Sequence, residues 1–297
     1  MAMVQKKSVG SRAFDVLNVA VILMLMLATL YPMLHVLFAS LSEPKYLLSH
    51  SGLLLHPVGK VTLKGYELVL KNPNILHGFR NTLLYVALGT AINVLLTAMG
   101  AFVLTRKHFA IRKVCSFFIL LTMFLNGGMI PTFFVVKNLG LFNSRWALIL
   151  PGAISVYNMI IMRTFFAGIP VSLEEAATIE GANDWHVFLK IILPLSMPVI
   201  AVMILYYGVG HWNSWFGAMI YLRDRDKYPL QLFLREILLQ DNIDSSAATT
   251  VEMAEESLFK ELIQYSAILI TTLPVLCIYP FLQRFFVKGV MIGAVKG

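Results

Sequence analysis

Six apolar runs limit what this chain can become. They fall at about 14 to 40, 79 to 105, 114 to 136, 146 to 168, 197 to 221 and 263 to 287, each longer than the roughly 20 residues a helix needs to cross a bilayer. Lipid offers no partner for a backbone N–H or C=O, so runs of this kind are helical. Composition agrees: 58% of the 297 residues are hydrophobic and only 13% are charged, about half the charged share of a soluble domain. The expectation is an all-α membrane protein of six transmembrane helices. Its transmembrane domain covers 13–290, between a cytoplasmic N-terminal segment 1–12 and a cytoplasmic tail 291–297. The third run is expected to be broken or kinked, because "FLNGGMIPTFFVV" carries a Gly pair and a proline.

The net charge of +8 would suit nucleic acid or an anionic surface. Lys and Arg cluster at the ends of the apolar runs, however, where they act as topology determinants, and no nucleic-acid partner is expected. Cys115 and Cys277 have no neighbours at metal or redox spacing. The opening "MAMVQKKSVGSR" and the run behind it resemble a signal peptide. The run is too long for that and lacks an A-x-A site, so it reads as a first span that stays. A tally of Lys and Arg does not separate the two sides, but density does. The connection "RKHFAIRK" at 106–113 has four basic residues and no acid, whereas the long segments 41–78 and 222–262 translocate largely regardless of charge. With Lys6, Lys7, Arg12, Arg284, Lys288 and Lys296 also inside, both termini are expected to be cytoplasmic.

That orientation puts "SLEEAATIEGANDWHVFLKIILPL", residues 172–195, in the cytoplasm. The stretch holds Glu174, Glu175, Glu180 and Asp184, four of only 16 acidic residues. Pro170 stops the fourth span, and Ser172 with Glu175 reads as an S-x-x-E capping box. Glu174 and Glu175 fall in the first turn, where the helix dipole favours negative charge. Ala176 and Ala177 let another surface approach, and Gly181 takes the left-handed conformation that ends a helix. Asn183 or Asp184 caps a second short helix, and Pro194 marks the bend back into the membrane.

Glu175-Ala176-Ala177, three residues, Gly181, nine residues, Ile191, one residue, then Leu193-Pro194 resembles the EAA motif of ABC-importer permeases. The resemblance implies the type I ABC-importer arrangement, with a cytoplasmic coupling helix between spans 4 and 5 docked in a groove of an ATP-binding subunit. The residues it assigns to that coupling are Glu174, Glu175, Ala176, Ala177, Gly181, Ala182, Leu193 and Pro194, with Glu175 pairing with a basic residue of the partner. It also implies a second permease subunit in a heterodimer, two ATP-binding subunits and a periplasmic or extracellular solute-binding protein, in a bacterial cytoplasmic (inner) membrane. The chain has no G-x-x-x-x-G-K-[ST] loop. No cofactor is expected on it, and ATP and Mg belong to the partner ATPase subunits.

Three further stretches, at 126–151, 158–166 and 210–222, resemble carbohydrate-uptake permeases, in the branch for oligosaccharides from complex polysaccharides. A uronate oligosaccharide such as alginate is one cargo that branch suggests. The ending "KGVMIGAVKG" resembles the tail of the maltose importer's smaller permease subunit, which implies that Gly293 to Gly297 reach between the ATP-binding subunits. Within "GHWNSWF", His211, Trp212, Asn213 and Trp215 have the aromatic, amide and imidazole chemistry of a saccharide pathway. They equally suit an interfacial aromatic belt with interhelical hydrogen bonds.

Asn81, Asn93, Asn126 and Asn158 are expected to bond between helices, Arg163 to snorkel and His35 to pack. The segment 223–261 contains "LQLFLREILLQ", with Leu230, Phe233, Leu234, Ile237 and Leu238 at helical spacing. It reads as a helix that meets the solute-binding protein or lies on the membrane surface. The competing functions are an ion-driven secondary transporter and a polytopic membrane enzyme. Every acid except Asp15 lies in a loop or at a boundary, which disfavours the first. No HExxH, GxSxG or paired membrane acids support the second.

Overall fold

A computed structural model describes residues 9–50, 52–106, 108–239, 259–278 and 280. Lys6 and Lys7, residues 240–258, the sixth run beyond 280 with Arg284 and Lys288, and the tail with Lys296 and Gly293 to Gly297 lie outside them. Among the described residues every regular element is helical. In chain order they are α1 (Val9–Leu41), α2 (Pro44–Ser49), α3 (Lys64–Lys71), α4 (Pro73–Thr105), α5 (Arg112–Phe124), α6 (Met129–Asn138), α7 (Val156–Ala167), α8 (Val171–Ile179), α9 (Asp184–Leu195), α10 (Met197–Trp212), α11 (Phe216–Tyr221), α12 (Leu230–Leu239) and α13 (Phe259–Ile278).

Three of these, α1, α4 and α13, are long and apolar enough to cross a membrane alone; three bent pairs bring the candidate spans to six. The expected break in the third run falls between α5 and α6, which turn by 117°. It is made by Gly128 at φ +87°, a left-handed conformation open to glycine, with the Asn126 side chain accepting from the Gly128 N–H. Two runs are shorter as helices than their apolar lengths suggest. The fourth is helical only from Val156 to Ala167, because a single 3-10 turn (Arg145–Leu148) and the Pro151-Gly152 loop precede a Ser155 cap. The fifth stops at Trp212 and restarts at Phe216. Apolar content reports burial in lipid, and it does not see a turn inside the apolar layer.

The described residues fall into two compact units, 9–72 with 259–271 and 73–239 with 272–278. In the first, Ala39, Leu47 and Leu54 form a small core with Tyr265 beside them. His35 packs there as expected, its ring 5.9 Å from those of Tyr31 and Tyr265.

The second unit is organised on α4. Asn81, Tyr85, Gly89, Asn93 and Thr97 recur every four residues along it, so they share one face. Four residues of an α-helix overshoot a full turn by about 40°; the wider π turn at Tyr85–Gly89 takes part of that drift back. The rungs hold the 226–228 segment, α10 and the 152–155 turn. Asn81 Nδ2 donates to the carbonyls of Asp226 and Tyr228 at 2.7 and 3.0 Å, and Tyr85 Oη to that of Lys227 at 2.7 Å. Gly89 leaves room for the His211 ring, whose Nε2 would lie 2.5 Å from a Cβ there. Asn93 Nδ2 donates to Gly152 O at 2.8 Å. Thr97 and Tyr207 share a buried hydroxyl pair at 2.7 Å, and Tyr207 Oη accepts from the Ser155 N–H at 3.0 Å. Asn93 thus reaches another helix as expected, through His211 of α10, whereas Asn81 bonds to the 226–228 segment and Asn126 to the nearby Gly128 N–H.

Around the ladder, α4, α7, α9 and α10 close a core of Met162, Phe166, Phe188, Ile192 and Met203, each at most 1% exposed. The stripe of α12 packs on α4 within the chain, with Leu230 and Phe233 buried and Leu230 Cα only 3.0 Å from where a Cβ of Gly78 would be. Replacing Asn93 with Leu strands the Gly152 carbonyl and is expected to cost about 1–3 kcal/mol. The check is a lowered thermal midpoint in detergent, with Leu83→Ala on the exposed side of α4 as the control that changes little.

Candidate functional site

The 172–195 stretch folds as a corner with two short arms. Its first arm, α8, begins at Val171 with Pro170 at the N-cap, and no side chain caps it. The expected capping box of Ser172 and Glu175 is therefore not made. Pro170 has no N–H and its fixed φ suits the entry to a helix, so the helix starts two residues earlier than that box would place it and Ser172 lies inside it. Of the two acids only Glu174 remains in the first turn.

The corner itself is closed as the sequence implies. Gly181 stands at φ +84°; its N–H donates to Thr178 O at 3.0 Å and that of Ala182 to Ala177 O at 2.9 Å, the paired bonds of a Schellman end. Asn183 then caps the second arm, its Oδ1 accepting from the His186 N–H at 2.8 Å. That arm, α9, sends Val187, Phe188 and Ile192 into the core, and it meets α10 at an 82° bend just after Leu193-Pro194. Ala177, Ala182 and Leu193 pack against the same core, while Pro194 faces outward.

Neighbouring residues of a helix point about 100° apart, and the two glutamates of α8 use this to face different ways. Glu174 turns inward and takes both ends of the Arg106 guanidinium at 2.5 and 2.7 Å, with the two side chains 11% and 18% exposed. Glu175 and Ala176 face out, beside Ile179, which is 87% exposed. A carboxylate, a small residue and an apolar side chain on one face of a capped helix leave a surface for another protein. Arg106 was not among the sequence candidates, since a basic residue after an apolar run reads as a topology signal.

The four pathway candidates do not share one surrounding. His211 Nε2 lies 3.2 Å from Asn93 Oδ1 and serves the ladder. Trp212 is 4% exposed and meets Phe79 edge to face at 5.9 Å. Asn213 is exposed at the break between α10 and α11. Trp215 is half-buried, with the Arg235 guanidinium 4.7 Å above its ring. A groove of about 500 Å³ between α4 and α10 is lined by Val86, Ala91, Val94, Ile200 and Ile204 among others, an apolar surface unsuited to a sugar. At the Asn81 end of α4, Asn143 adopts φ 57° and clasps the 223–227 loop. Its Oδ1 accepts from the N–H groups of Arg223 and Asp224. Hydrogen bonds from Lys227 and then Asn143 hold the Asp224 carboxyl below its ordinary range. Sequence reasoning missed Asn143; its only signal is that asparagine tolerates the left-handed region.

Residues 81–292 match the family described as "Binding-protein-dependent transport system inner membrane component". Over 288 residues the chain is 39% identical to the polygalacturonan/rhamnogalacturonan transport system permease protein YtcP of Bacillus subtilis (strain 168), covering 97% of this chain and 99% of the relative. It is 37% identical over 288 residues to protein LplC of the same organism, covering 97% and 96%. Among solved structures, a chain of a bacterial ABC transporter involved in the import of the acidic polysaccharide alginate matches with a TM-score of 0.86 and 29% identity, covering 95% of this chain and 99% of that one.

The corner depends on two local devices that can be removed singly. Asn183→Ala loses the cap and is expected to cost about 1 kcal/mol; Gly181→Val forces a β-branched residue to positive φ, at about 1–3 kcal/mol. Both are expected to speed limited proteolysis between 172 and 195 more than elsewhere, as read by mass spectrometry of the fragments.

Proposed function

The chain belongs to the binding-protein-dependent transport system inner membrane components, and from that premise we propose that it is one permease subunit of an ATP-driven importer of oligosaccharides. The fold is that of the type I ABC-importer permeases. Two ATP-binding subunits, a second permease subunit and a solute-binding protein complete the machine. ATP and Mg reside on the ATP-binding subunits, and this chain contributes no nucleotide site.

The observation that carries this reading is the outward face of α8. Glu175, Ala176 and Ile179 stand on a helix whose end is closed by Gly181 and whose second arm is buried in the core. A partner that moves this face moves the core with it, whereas a loose loop would absorb the displacement. The face lies on the cytoplasmic side in this reading, with both termini, in the bacterial cytoplasmic membrane. Closure of the ATP-binding subunits displaces the corner, and the helices of the second unit pass between inward- and outward-open arrangements biased by nucleotide.

The cargo is an oligosaccharide, and a uronate-bearing one is favoured. The cargoes named for YtcP and for the alginate transporter are both carboxylate-bearing polysaccharides. Trp215 with Arg235 offers an aromatic face and a cation together, and Asn213 an exposed amide two residues earlier in the chain, while Trp212 is committed to packing. The reading predicts that Glu175→Lys leaves the chain folded but sets like charge against the basic residue of the dock. Cargo-stimulated ATP hydrolysis by the reconstituted complex is expected to fall by about tenfold or more. Wild-type stimulation and uptake by that variant would count against the coupling role of Glu175.

A further inference from the structure

Two inward contacts of the corner meet one end of α4, at Phe102 in its last turn and at Arg106, the residue that ends it. The Phe102 ring lies 5.0 Å from that of Phe188 on the second arm, and Arg106 holds Glu174 of the first arm through two hydrogen bonds. The Arg106 guanidinium also stacks 4.2 Å over the Phe102 ring, so the two grips brace each other. Both rings are buried, at 7% and 1% exposure. Across a helix of 33 residues, about 50 Å long, the other end is gripped as firmly. Asn81 and Tyr85 bond three successive backbone carbonyls of the 226–228 loop, Thr82 Oγ1 accepts from the Leu230 N–H at 2.9 Å, and Gly78 admits α12.

A helix held at both ends by several contacts moves as one piece. We propose that α4 is the rod that carries displacement between the coupling corner and the 223–239 segment, and that Arg106 and Glu174 are the positioning residues that yoke the corner to it. This rests on the function proposed above, in which one end faces the ATP-binding subunits, and it takes the 223–239 segment at the other end as the one that meets the solute-binding protein. It adds a path that runs through a side-chain clamp into α4, besides the covalent continuation of the corner into α7 and α10. The ion pair suits that task because a bidentate carboxylate–guanidinium contact fixes angle as well as distance, and its partial burial limits screening by salt.

The test uses the assembled complex in lipid nanodiscs with its binding protein and cargo. Arg106→Gln keeps the length of the side chain and removes its charge. The complex is expected to assemble and to keep basal ATP hydrolysis, while stimulation by the cargo-loaded binding protein falls about tenfold. The exchange of Arg106→Glu with Glu174→Arg is expected to recover a large part of it, which a general loss of stability would not allow. Stimulation at the wild-type level in Arg106→Gln overturns the yoke.

Should Arg106→Gln not assemble, a second measurement decides. In a chain with Cys115→Ser and Cys277→Ser, Arg106→Cys and Glu174→Cys are bridged by a short bis-maleimide. A yoke that stays closed through the cycle keeps stimulation in the bridged complex, and loss of stimulation on bridging overturns the proposal. A wild-type complex that shows no stimulation would instead overturn the proposed function, so the two failures are distinguishable.

Discussion

The polar face of α4 is the constraint on which the second unit depends. Helices that cross a membrane unbroken satisfy their own backbone, but α7, α10 and α11 are short or interrupted, and each interruption leaves backbone groups to be satisfied within an apolar layer. Side chains of α4 meet several of these groups: Asn93 takes Gly152 O, Tyr85 takes Lys227 O, and Thr97, through Tyr207, reaches the Ser155 N–H. An unmet buried carbonyl costs about 1–3 kcal/mol. The irregular segments are therefore tolerated where they meet α4, and the four-residue repeat fixes where that is.

The same helix shows why the 172–195 corner is part of the core. Phe188 and Ile192 come from a segment whose sequence is polar and acid-rich, yet they are 1% and 0% exposed among α4, α7 and α10. The arm is half in the membrane unit and half out of it, with Trp185 58% exposed one turn earlier. A surface built in this way has little freedom to shift on its own.

Much of this was legible in the sequence, and the reasons differ by feature. The six apolar runs survive as candidate spans because hydropathy reports on the solvent and long runs have one solution in lipid. The break at Gly127-Gly128, the positive φ of Gly181 and the Asn183 cap are local backbone matters, decided by the residue itself. The capping box was not legible: Ser172 and Glu175 have the right spacing, but Pro170 two residues earlier starts the helix first. The early end of α10 and the late start of α7 depend on turns inside apolar text. Arg106, Asn143 and Tyr207 act through partners from about 50 to more than 100 positions away, and no spacing rule reaches that far. The residue types of "GHWNSWF" suit a sugar, but helical geometry sends successive side chains to different neighbours, and of His211, Trp212, Asn213 and Trp215 only Asn213 is exposed.

That geometric separation also explains how one short helix serves two masters. Glu174 and Glu175 are chemically the same group, and nothing in composition tells them apart. Their 100° offset on α8 directs the first to Arg106 and the second to the surface. Ala177, one turn below Glu174, follows it inward, and Ala176 follows Glu175 outward. Each pair of an acid and an alanine is thus a contact on one side of the helix: the inner one needs a small residue so that α8 sits close to the core, and the outer one leaves room for a partner to do the same. A force applied at the outer pair acts on a helix whose inner pair is already held, and one path from it leads through Arg106 to α4.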